Sequence, residues 1–394
     1  MFHELDVLLA ELSDGRRFTP EIQDQALSYG ERLSSLMVAE AFRHLGINAA
    51  QVDSRKIIIT GNRFTYAEPW YWDTCARLRR TVGLLARDRV VVMGGFIGST
   101  IEGVTTTMGR GGPDLTASLV GAGISAEEIQ IWTDVDGILS CDPRLLSGGC
   151  RLREISYREA LEMARFGAKV LQEEAIGPAL RQRIPIVIRN SRRPQVEGTR
   201  VVSNPPSTPG MVKCIISKPG MAVVHLRAAN QGALSSITDG WSDLFNRENI
   251  PIDLIQAHEQ GISFALQNWP GLSAVLRKID ESVSITVDEN CAGVRLVGEG
   301  VSQEPSTLDR ARAALQMSGP QLFAQGSSSL SLAFAVPEAK LGGALEALDR
   351  EFFASPDPAV FAVPESVTAH AAEPTAQVER VRVSKQPWTA PAHS

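Results

Sequence analysis

The first half of the chain alternates short apolar runs with longer amphipathic stretches. Four runs rich in β-branched residues are apolar on both faces: KIIIT (56–60), RVVVMGG (89–95), EIQIWTD (128–134) and IPIVIRN (184–190). The stretches between them, such as SLMVAEAFRHLG and DLTASLVGAG, repeat apolar residues with helical spacing. Strands buried on both faces are typical of parallel sheets that helices cover on both sides. The pattern therefore predicts a three-layer α/β domain with a mainly parallel sheet over residues 1–203.

A proline-rich break, NPPSTPG (204–210), separates this part from a second pattern. Residues 211–290 read as strand, helix, two strands, helix and strand, with the first helix over 232–249 and the two central strands at 252–258 and 261–267. A similar series occupies residues 291–353, and the two units together predict two ferredoxin-like βαββαβ modules. Residues 354–394 are rich in Pro, Ala and Glu, which predicts a disordered tail or linker.

The composition excludes several classes of protein. Of 394 residues, 43% are hydrophobic and 21% are charged, which is typical of soluble multidomain proteins. The net charge of −6 and the scattered Lys and Arg residues argue against a nucleic-acid partner. The N-terminus lacks the features of a signal peptide and no apolar run has the length of a membrane span, which favours the cytoplasm. Five widely spaced cysteines and unpaired histidines indicate reduced thiols and no metal centre.

The stretch TTTMGRGGPDLTASL (105–119) places threonines, glycines and one arginine directly before a predicted helix. Glycine backbone lets N–H groups approach a ligand, and the positive end of a helix dipole favours an anion. Pro113 suits the first turn of that helix, Asp114 complements its dipole, and Arg110 offers a fork of donors for a carboxylate or phosphate. A plain tight turn is the alternative, because the stretch lacks the spacing of a Walker A loop.

A second polar loop, WTDVDGILSCDPR (132–144), follows the third predicted strand. Its glycine and acidic spacing do not fit a calcium loop, so the alternatives are an Asp-rich turn or a nucleotide contact. In the second interpretation Thr133 and Asp134 contact nucleotide hydroxyl and amine groups, and Arg144 lies near phosphate. Taken singly, Glu31 in SYGERLSS and Lys169 in FGAKVLQ are typical of solvated surface residues.

Taken in order, these motifs resemble those of the aspartate kinases, members of the amino-acid kinase family. The resemblance runs from Ser28 to Phe353 and includes SYGERLSS, GGFIGS, GVTTTMGRGGPDLTA, IWTDVDGILSCDPR, FGAKVLQ and IPIVIRN. It implies transfer of a phosphoryl group from Mg²⁺-bound ATP to the β-carboxylate of L-aspartate, the first step towards lysine, threonine and methionine. It also implies that the two modules are ACT domains that bind an amino-acid effector, and that the protein forms a homodimer through them.

The resemblance also implies roles for individual residues. Arg110 would clamp the α-carboxylate of aspartate, Glu31 would contact its amino group, and Asp114 would organise catalytic lysines. Gly111 and Pro113 would complete the substrate site. The positions that match the nucleotide pocket are Thr133, Asp134, Leu139, Arg144 and Lys169, and those that match effector contacts are Asp253 and Glu259.

The chain departs from the family pattern at several points. It starts downstream of the K-F-G-G-T-S motif, whose lysine neutralises the transferred phosphoryl group, so the resemblance implies that the chain alone forms little aspartyl phosphate. Two hypotheses follow: an enzyme whose first segment is missing or supplied by another chain, and a non-catalytic, effector-sensing subunit. Pro113 stands where the family has Ser, and Gln172 and Glu173 stand where it has His and Pro. Residues 256–258 replace a hydroxyl-rich pair, which leaves the effector open.

Overall fold

The computed structural model describes residues 1–362 apart from 16, 147, 169, 207, 229–240, 242–243, 249, 260, 279–282, 321 and 326–327. The described residues form one compact unit, and none of residues 363–394 is among them. Lys169 and most of the helix predicted over 232–249 also lie outside them. Among the residues described, no helix combines the length and the apolar character that crossing a bilayer requires.

The N-terminal half alternates helices and strands as the pattern predicts. Its helices are α1 (Phe2–Ser13), α2 (Pro20–His44), α3 (Tyr71–Leu85), α4 (Gly112–Ile124), α5 (Tyr157–Phe166) and α6 (Glu173–Gln182). Its strands are β1 (Ala49–Val52), β2 (Val90–Met93), β3 (Ile97–Ser99), β4 (Thr105–Thr107), β5 (Ile129–Thr133), β6 (Arg151–Leu152), β7 (Glu154–Ser156), β8 (Ile186–Asn190) and β9 (Thr199–Val202).

Local sequence signals explain where the long helices begin. Thr19 precedes α2, and its hydroxyl accepts a hydrogen bond from the Ile22 amide at 3.3 Å. Ser156 and Glu159 form a reciprocal capping box at the start of α5, in which each side chain accepts from the other residue's backbone amide. The α5 helix is therefore well defined at its N-terminal end.

The parallel strands fall into two small sheets rather than one. β1 and β2 pair in parallel, whereas β5, β8, β9 and β7 form a second sheet in that order, with β8 antiparallel to β9. The run at 56–60 forms only isolated bridges, Ile59 to Ser99 and Thr60 to Pro69. Its apolar residues are nevertheless buried, in a cluster with side chains from α3 and α4. The three-layer α/β class is confirmed. The apolar run at 56–60 predicted burial correctly, but the strand that it also predicted is reduced to isolated bridges.

The C-terminal half forms one six-stranded antiparallel sheet. Its elements are β10 (Cys214–Ala228), β11 (Ile252–His258), β12 (Gly261–Gln267), α7 (Leu272–Leu276), β13 (Val283–Val297), α8 (Pro305–Leu315), β14 (Leu322–Gln325), β15 (Ser331–Pro337) and α9 (Leu341–Phe353). The strand order is β11-β12-β10-β13-β15-β14. The described strands and helices follow the predicted ferredoxin-like pattern, and both modules share one sheet.

Two long strands run through both predicted modules. The first part of β10, residues 214–218, pairs with residues 293–297 of β13, whereas residues 221–228 pair with 283–291. The sequence boundary between modules, at residue 291, therefore lies inside β13. The strand that opens the first module also supplies the second, because β10 is long enough to cross both halves of the sheet.

The folded unit extends past the predicted start of the tail at residue 354. A short strand, β16 (Phe361–Ala362), pairs with β6. The ring of Phe361 is buried and lies 5.6 Å from that of Phe353, centroid to centroid. The prediction for residues 354–362 was wrong because the buried residues Val360 and Phe361 outweigh the Pro- and Ala-rich composition around them. The rest of the predicted tail, residues 363–394, lies outside the described residues.

Candidate functional site

The glycine-rich loop joins β4 to the N-terminus of α4. Gly109 and Gly111 adopt φ angles of +68° and +78°, which favour glycine strongly over other residues. The α4 helix begins at Gly112, so Pro113 and Asp114 occupy its first turn. Pro113 has no N–H group and the Gly112 amide donates to the Gly109 carbonyl at 3.2 Å, so what this turn directs at the loop is chiefly the positive end of the helix dipole. The loop therefore has the backbone of an anion site.

Glu31 lies against the start of α4 from the other side. It is part of α2, and its Oε1 accepts a hydrogen bond from the Gly95 amide at 2.7 Å. A Cβ atom on Gly95 would lie 3.0 Å from the Cα of Pro113, so the backbones of these two segments touch. Three segments far apart in sequence thus bring Glu31, Gly95 and Pro113 together.

The loop also contacts the segment that carries Lys169. A Cβ atom on Gly111 would lie 2.6 Å from the Cγ of Gln172, which directly precedes α6. Lys169 itself is outside the described residues, but Gln172 places the end of its segment beside the glycine loop. The predicted substrate and nucleotide segments are therefore neighbours at this point.

Arg110 and Asp114 differ in their surroundings. Arg110 is exposed and forms no hydrogen bond or ion pair with the residues that the structure describes. Asp114 is half-buried, and burial alone raises the pKa of its carboxyl group. Arg110 is thus available to an incoming anion, whereas Asp114 carries a charge that its surroundings do not compensate.

The second predicted group lies at the carboxyl ends of the parallel strands β5 and β8. The carbonyl of Thr133 accepts hydrogen bonds from the amide and hydroxyl of Ser191, at 2.8 and 3.0 Å. The hydroxyl of Thr133 contacts Asp134, whose carboxylate is exposed. Asp136 holds the side chains of Asn190 and Arg193 at the same edge. Polar groups therefore meet where ligands bind in open α/β sheets.

The remaining nucleotide candidates lie further along the loop. Leu139 forms an antiparallel bridge with Arg151 at the beginning of β6. Arg144 is exposed, and its guanidinium forms hydrogen bonds of 3.0 and 2.5 Å with the two carboxylate oxygens of Asp142. This ion pair holds Arg144 against a residue two positions earlier in the same loop.

The two predicted effector residues occupy opposite ends of β11. Asp253 accepts hydrogen bonds from Lys218 Nζ at 2.9 and 2.7 Å, and its side chain is 11% exposed. Glu259 is exposed in the turn after the strand. At about 3.3 Å per residue, the two are roughly 20 Å apart in an extended strand. Within one chain they mark separate positions, and one free amino acid is too small to contact both.

Asp24, on α2, is a residue of the site that the sequence analysis missed. Its carboxylate is fully buried and accepts hydrogen bonds from the amide of Thr65 at 2.9 Å and from the amide and hydroxyl of Thr107 at 2.8 and 2.6 Å. It therefore fastens α2 to β4, two residues before the glycine loop starts. A signal existed: Asp24 and Glu31 are two helical turns apart, which places both on one face of α2.

We expect Asp24→Ala to lower the free energy of unfolding by about 1–3 kcal/mol, because three donors lose a buried acceptor. Asp24→Asn should retain most of that stability, since its amide oxygen can accept from both backbone donors while its NH₂ group donates to the Thr107 hydroxyl. Urea unfolding of both variants checks this. Equal stability of the alanine variant and the unchanged protein would show that the carboxylate does not hold the loop.

Comparison with known proteins gives consistent matches. Residues 3–190 match the model of the amino acid kinase family. The chain is 33% identical over 334 residues to the lysine-sensitive aspartokinase 3 of Escherichia coli, covering 81% of this chain and 73% of that protein. It is 30% identical over 369 residues to the chloroplastic aspartokinase 1 of Arabidopsis thaliana, of which it spans 64%. The crystal structure of E. coli aspartokinase III in complex with aspartate and ADP aligns with a TM-score of 0.72 at 29% identity, covering 89% of this chain and 81% of that one.

Proposed function

The chain belongs to the aspartokinases, and on this premise we propose that its site transfers the γ-phosphoryl group of ATP to the β-carboxylate of L-aspartate. The observation that carries the proposal is the position of Arg110. Arg110, which forms no ion pair with the residues that the structure describes, stands between two glycines with positive φ, directly before the N-terminus of α4. A guanidinium and a helix N-terminus are two groups suited to binding a carboxylate.

Aspartate binding follows from this arrangement. In the proposed complex, Arg110 donates two hydrogen bonds to the α-carboxylate, and Gly111 and Pro113 line the same site at the positive end of α4. Glu31 accepts from Gly95 through Oε1, which leaves its Oε2 for the substrate ammonium group. One cationic and one anionic side chain thus meet the two charged groups of an α-amino acid, which leaves the β-carboxylate to face the nucleotide.

The nucleotide is proposed to bind along the edge formed by the ends of β5 and β8. In this proposal Thr133 and Asp134 would contact the nucleoside, with Leu139 beside it, and Lys169 and Arg144 would bind the phosphates. The contact between Gln172 and Gly111 supports a shared cleft, because it joins the two binding segments. Within the described residues, no group of three or more His, Cys, Asp or Glu side chains could hold a metal ion. Mg²⁺ would be bound by the ATP phosphates and neutralise part of their charge.

The reaction needs positioning and charge neutralisation more than covalent catalysis. A β-carboxylate oxygen of aspartate forms a bond to the γ-phosphorus while the bond to the β,γ-bridging oxygen breaks, and ADP leaves with that oxygen. The substrate carboxylate is already a nucleophile, so no proton has to be removed from it. The amides of the glycine loop and the cationic side chains stabilise the negative charge of the loose transition state.

Asp114 is proposed to orient cationic groups at this site. We expect Asp114→Asn to lower the turnover number about tenfold, a usual effect of losing a carboxylate that orients a charged group. The same change should raise stability near neutral pH. Because burial raises the pKa of Asp114, the folded protein binds this proton more tightly than the unfolded chain does. The resulting stabilisation is complete below the unfolded pKa and is lost as the pH rises through the folded pKa.

The pH dependence of the thermal midpoint tests this directly. The advantage of the asparagine variant should be absent in acid and should grow as Asp114 ionises. A variant that is less stable at every pH would show that the ionised carboxylate has a favourable partner.

A second candidate is an effector-sensing subunit that binds nucleotide and aspartate without turnover. The observation in its favour is that no positive charge among the described residues offsets the burial of Asp114. Trapping aspartyl phosphate with hydroxylamine, in the presence of Mg-ATP and L-aspartate, separates the candidates. Hydroxamate formation that requires Arg110 supports the kinase, whereas binding of both ligands without product supports the sensor.

The proposal extends to the setting of the protein. We place it in the cytoplasm, in keeping with five buried cysteines that are all free. We also propose a homodimer formed through the six-stranded sheet region, with an amino-acid effector bound there. Light scattering of the purified chain tests the dimer, and a monomeric mass at micromolar concentration would overturn it.

A further inference from the structure

One helix of the N-terminal half carries the charged contacts to the six-stranded sheet. On α5, Glu159 binds Lys213, the residue before β10, and Glu162 binds Arg295 on β13 at 2.8 Å. Both carboxylate oxygens of Glu159 lie 3.0 Å from Lys213 Nζ, and Oε1 also accepts a hydrogen bond from the Glu299 amide at 3.0 Å. These contacts fix α5 to the sheet at two points about one turn apart.

Arg295 has partners on both sides of this junction. One terminal nitrogen donates to Glu162, and the other donates to the main-chain carbonyl of Asp253 at 3.1 Å. Its guanidinium also lies over the ring of Phe166, the last residue of α5, at 4.3 Å from the ring centroid. A single side chain thus contacts both β11, which carries the predicted effector residue, and the C-terminal turn of α5.

The C-terminal end of α5 leads directly to the candidate active site. Gly167 ends the helix with a φ of +106°, and the chain then passes through the Lys169 segment to Gln172. Arg165 and Glu173 form an ion pair of 2.7 Å that ties the ends of this segment together. Because Gln172 packs on Gly111, a movement of the end of α5 would be passed to the glycine loop.

The contacts of Arg295 do not satisfy all of its hydrogen-bond donors, which favours a second arrangement of the junction. Its Nε is buried and has no hydrogen-bond partner among the described residues. A buried donor without a partner costs free energy, so a shift of β11 or α5 that supplied one would be favoured. Gly293, two residues before Arg295, is also needed for the contact, since a Cβ there would lie 2.8 Å from the Phe166 ring. The junction is close-packed and transmits small displacements.

We propose that Arg295 is a positioning residue that couples β11 to the loop between α5 and α6, so that an effector bound at β11 changes the binding of nucleotide and aspartate. The effect on nucleotide and aspartate binding rests on the proposed function, but the coupling between β11 and the end of α5 does not. The coupling is a property of contacts among Asp253, Arg295 and the end of α5. It can therefore be measured without turnover.

The test is a double-mutant cycle read by hydrogen exchange of the full chain. Asp253→Asn weakens the Lys218 ion pair and perturbs β11. We expect it to raise exchange in peptides covering residues 157–172 by at least about threefold in the unchanged background. In an Arg295→Lys background it should add nothing, because lysine lacks the planar fork whose two terminal nitrogens reach Glu162 and the Asp253 carbonyl at the same time.

A matched control uses the same chemistry within the sheet region. Arg310 binds Glu351 at 2.6 Å and lies over Phe352 at 4.6 Å, and these contacts join α8 to α9 within the described part of the chain. Arg310→Lys should leave the effect of Asp253→Asn on residues 157–172 intact. Circular dichroism confirms that each variant is folded, and Glu162→Gln offers a milder second way to weaken the junction.

Additive effects of Asp253→Asn and Arg295→Lys, or no change at residues 157–172 in either background, would overturn the inference. Failure of the proposed function has a different signature. In that case hydroxylamine traps no aspartyl phosphate, while the exchange pattern still shows the coupling. If coupling and turnover are both present, the Mg-ADP dissociation constant should rise in the Arg295→Lys variant and stay unchanged in Arg310→Lys.

Discussion

Replacing Lys213 with methionine is expected to lower the free energy of unfolding by about 3–5 kcal/mol, the usual cost of leaving one buried charge without its partner. The side chains of Lys213 and Glu159 are 1% and 0% exposed. Glu159 would keep hydrogen bonds from Ser156 and from the Glu299 amide, but it would lose its only cationic partner among the residues described. Neither water nor another cation can reach it easily in a close-packed interior.

Urea unfolding of the variants measures this effect. Lys278→Met is the control, because the Lys278–Glu248 pair is exposed and such pairs contribute at most about 1 kcal/mol. The double variant Lys213→Met/Glu159→Gln should recover much of the loss, since it removes the uncompensated charge. If Lys213→Met were no more destabilising than Lys278→Met, the buried pair could not be what fastens α5 to the sheet.

Replacing Arg110 with alanine is expected to raise the KM for aspartate roughly 100-fold, because two charge-assisted hydrogen bonds to the α-carboxylate are lost at about 1.5 kcal/mol each. The KM for ATP should change little, since Arg110 is assigned to the other substrate. Stability should also be unchanged, because Arg110 is exposed and forms no ion pair within the described part of the chain.

Two further variants sharpen this prediction. Arg87→Ala removes an exposed arginine at the end of α3, away from the glycine loop, and should leave the KM for aspartate unchanged. Arg110→Lys should recover only part of the affinity, because an ammonium group cannot form the paired hydrogen bonds of a guanidinium. Where turnover is slow, the dissociation constant of aspartate replaces the KM. An unchanged value in Arg110→Ala would remove this residue from the carboxylate site.

Much of the fold follows from hydrophobic patterning. The strands at 252–258 and 261–267 were predicted at their observed bounds, because turn residues on either side of an apolar run leave little choice of where the strand begins and ends. The loop before α4 was also predicted, since glycine and proline have few conformations that fit a helix start. Such signals are local, so they can be interpreted without knowledge of the partner strand.

Features that depend on distant partners could not be predicted. The run at 56–60 is buried but makes only isolated bridges, since burial and strand pairing have the same apolar signature. β10 and β13 each cross two predicted modules, which shows only in their pairing. Single-sequence patterns contain no information about which strands meet.

The candidate site shows the same division. Glu31 and Pro113 were identified from motifs, and their closeness appears only in the fold. Asp24 was missed because a lone aspartate within a helix resembles a surface residue, although it is fully buried. Asp253 and Glu259 were both predicted as effector contacts, and the extended strand between them separates the two within a chain. Geometry decides such roles, and residue type alone does not.

Calorimetric titration of the chain with L-aspartate and with Mg-ADP, repeated on Arg110→Ala, tests most directly whether the glycine loop and the strand ends hold two anions side by side. We predict that each ligand binds once per chain, and that Arg110→Ala weakens aspartate roughly 100-fold while the affinity for Mg-ADP stays within about threefold. Equal aspartate affinity in both proteins, or no binding of either ligand to the folded chain, would contradict the account.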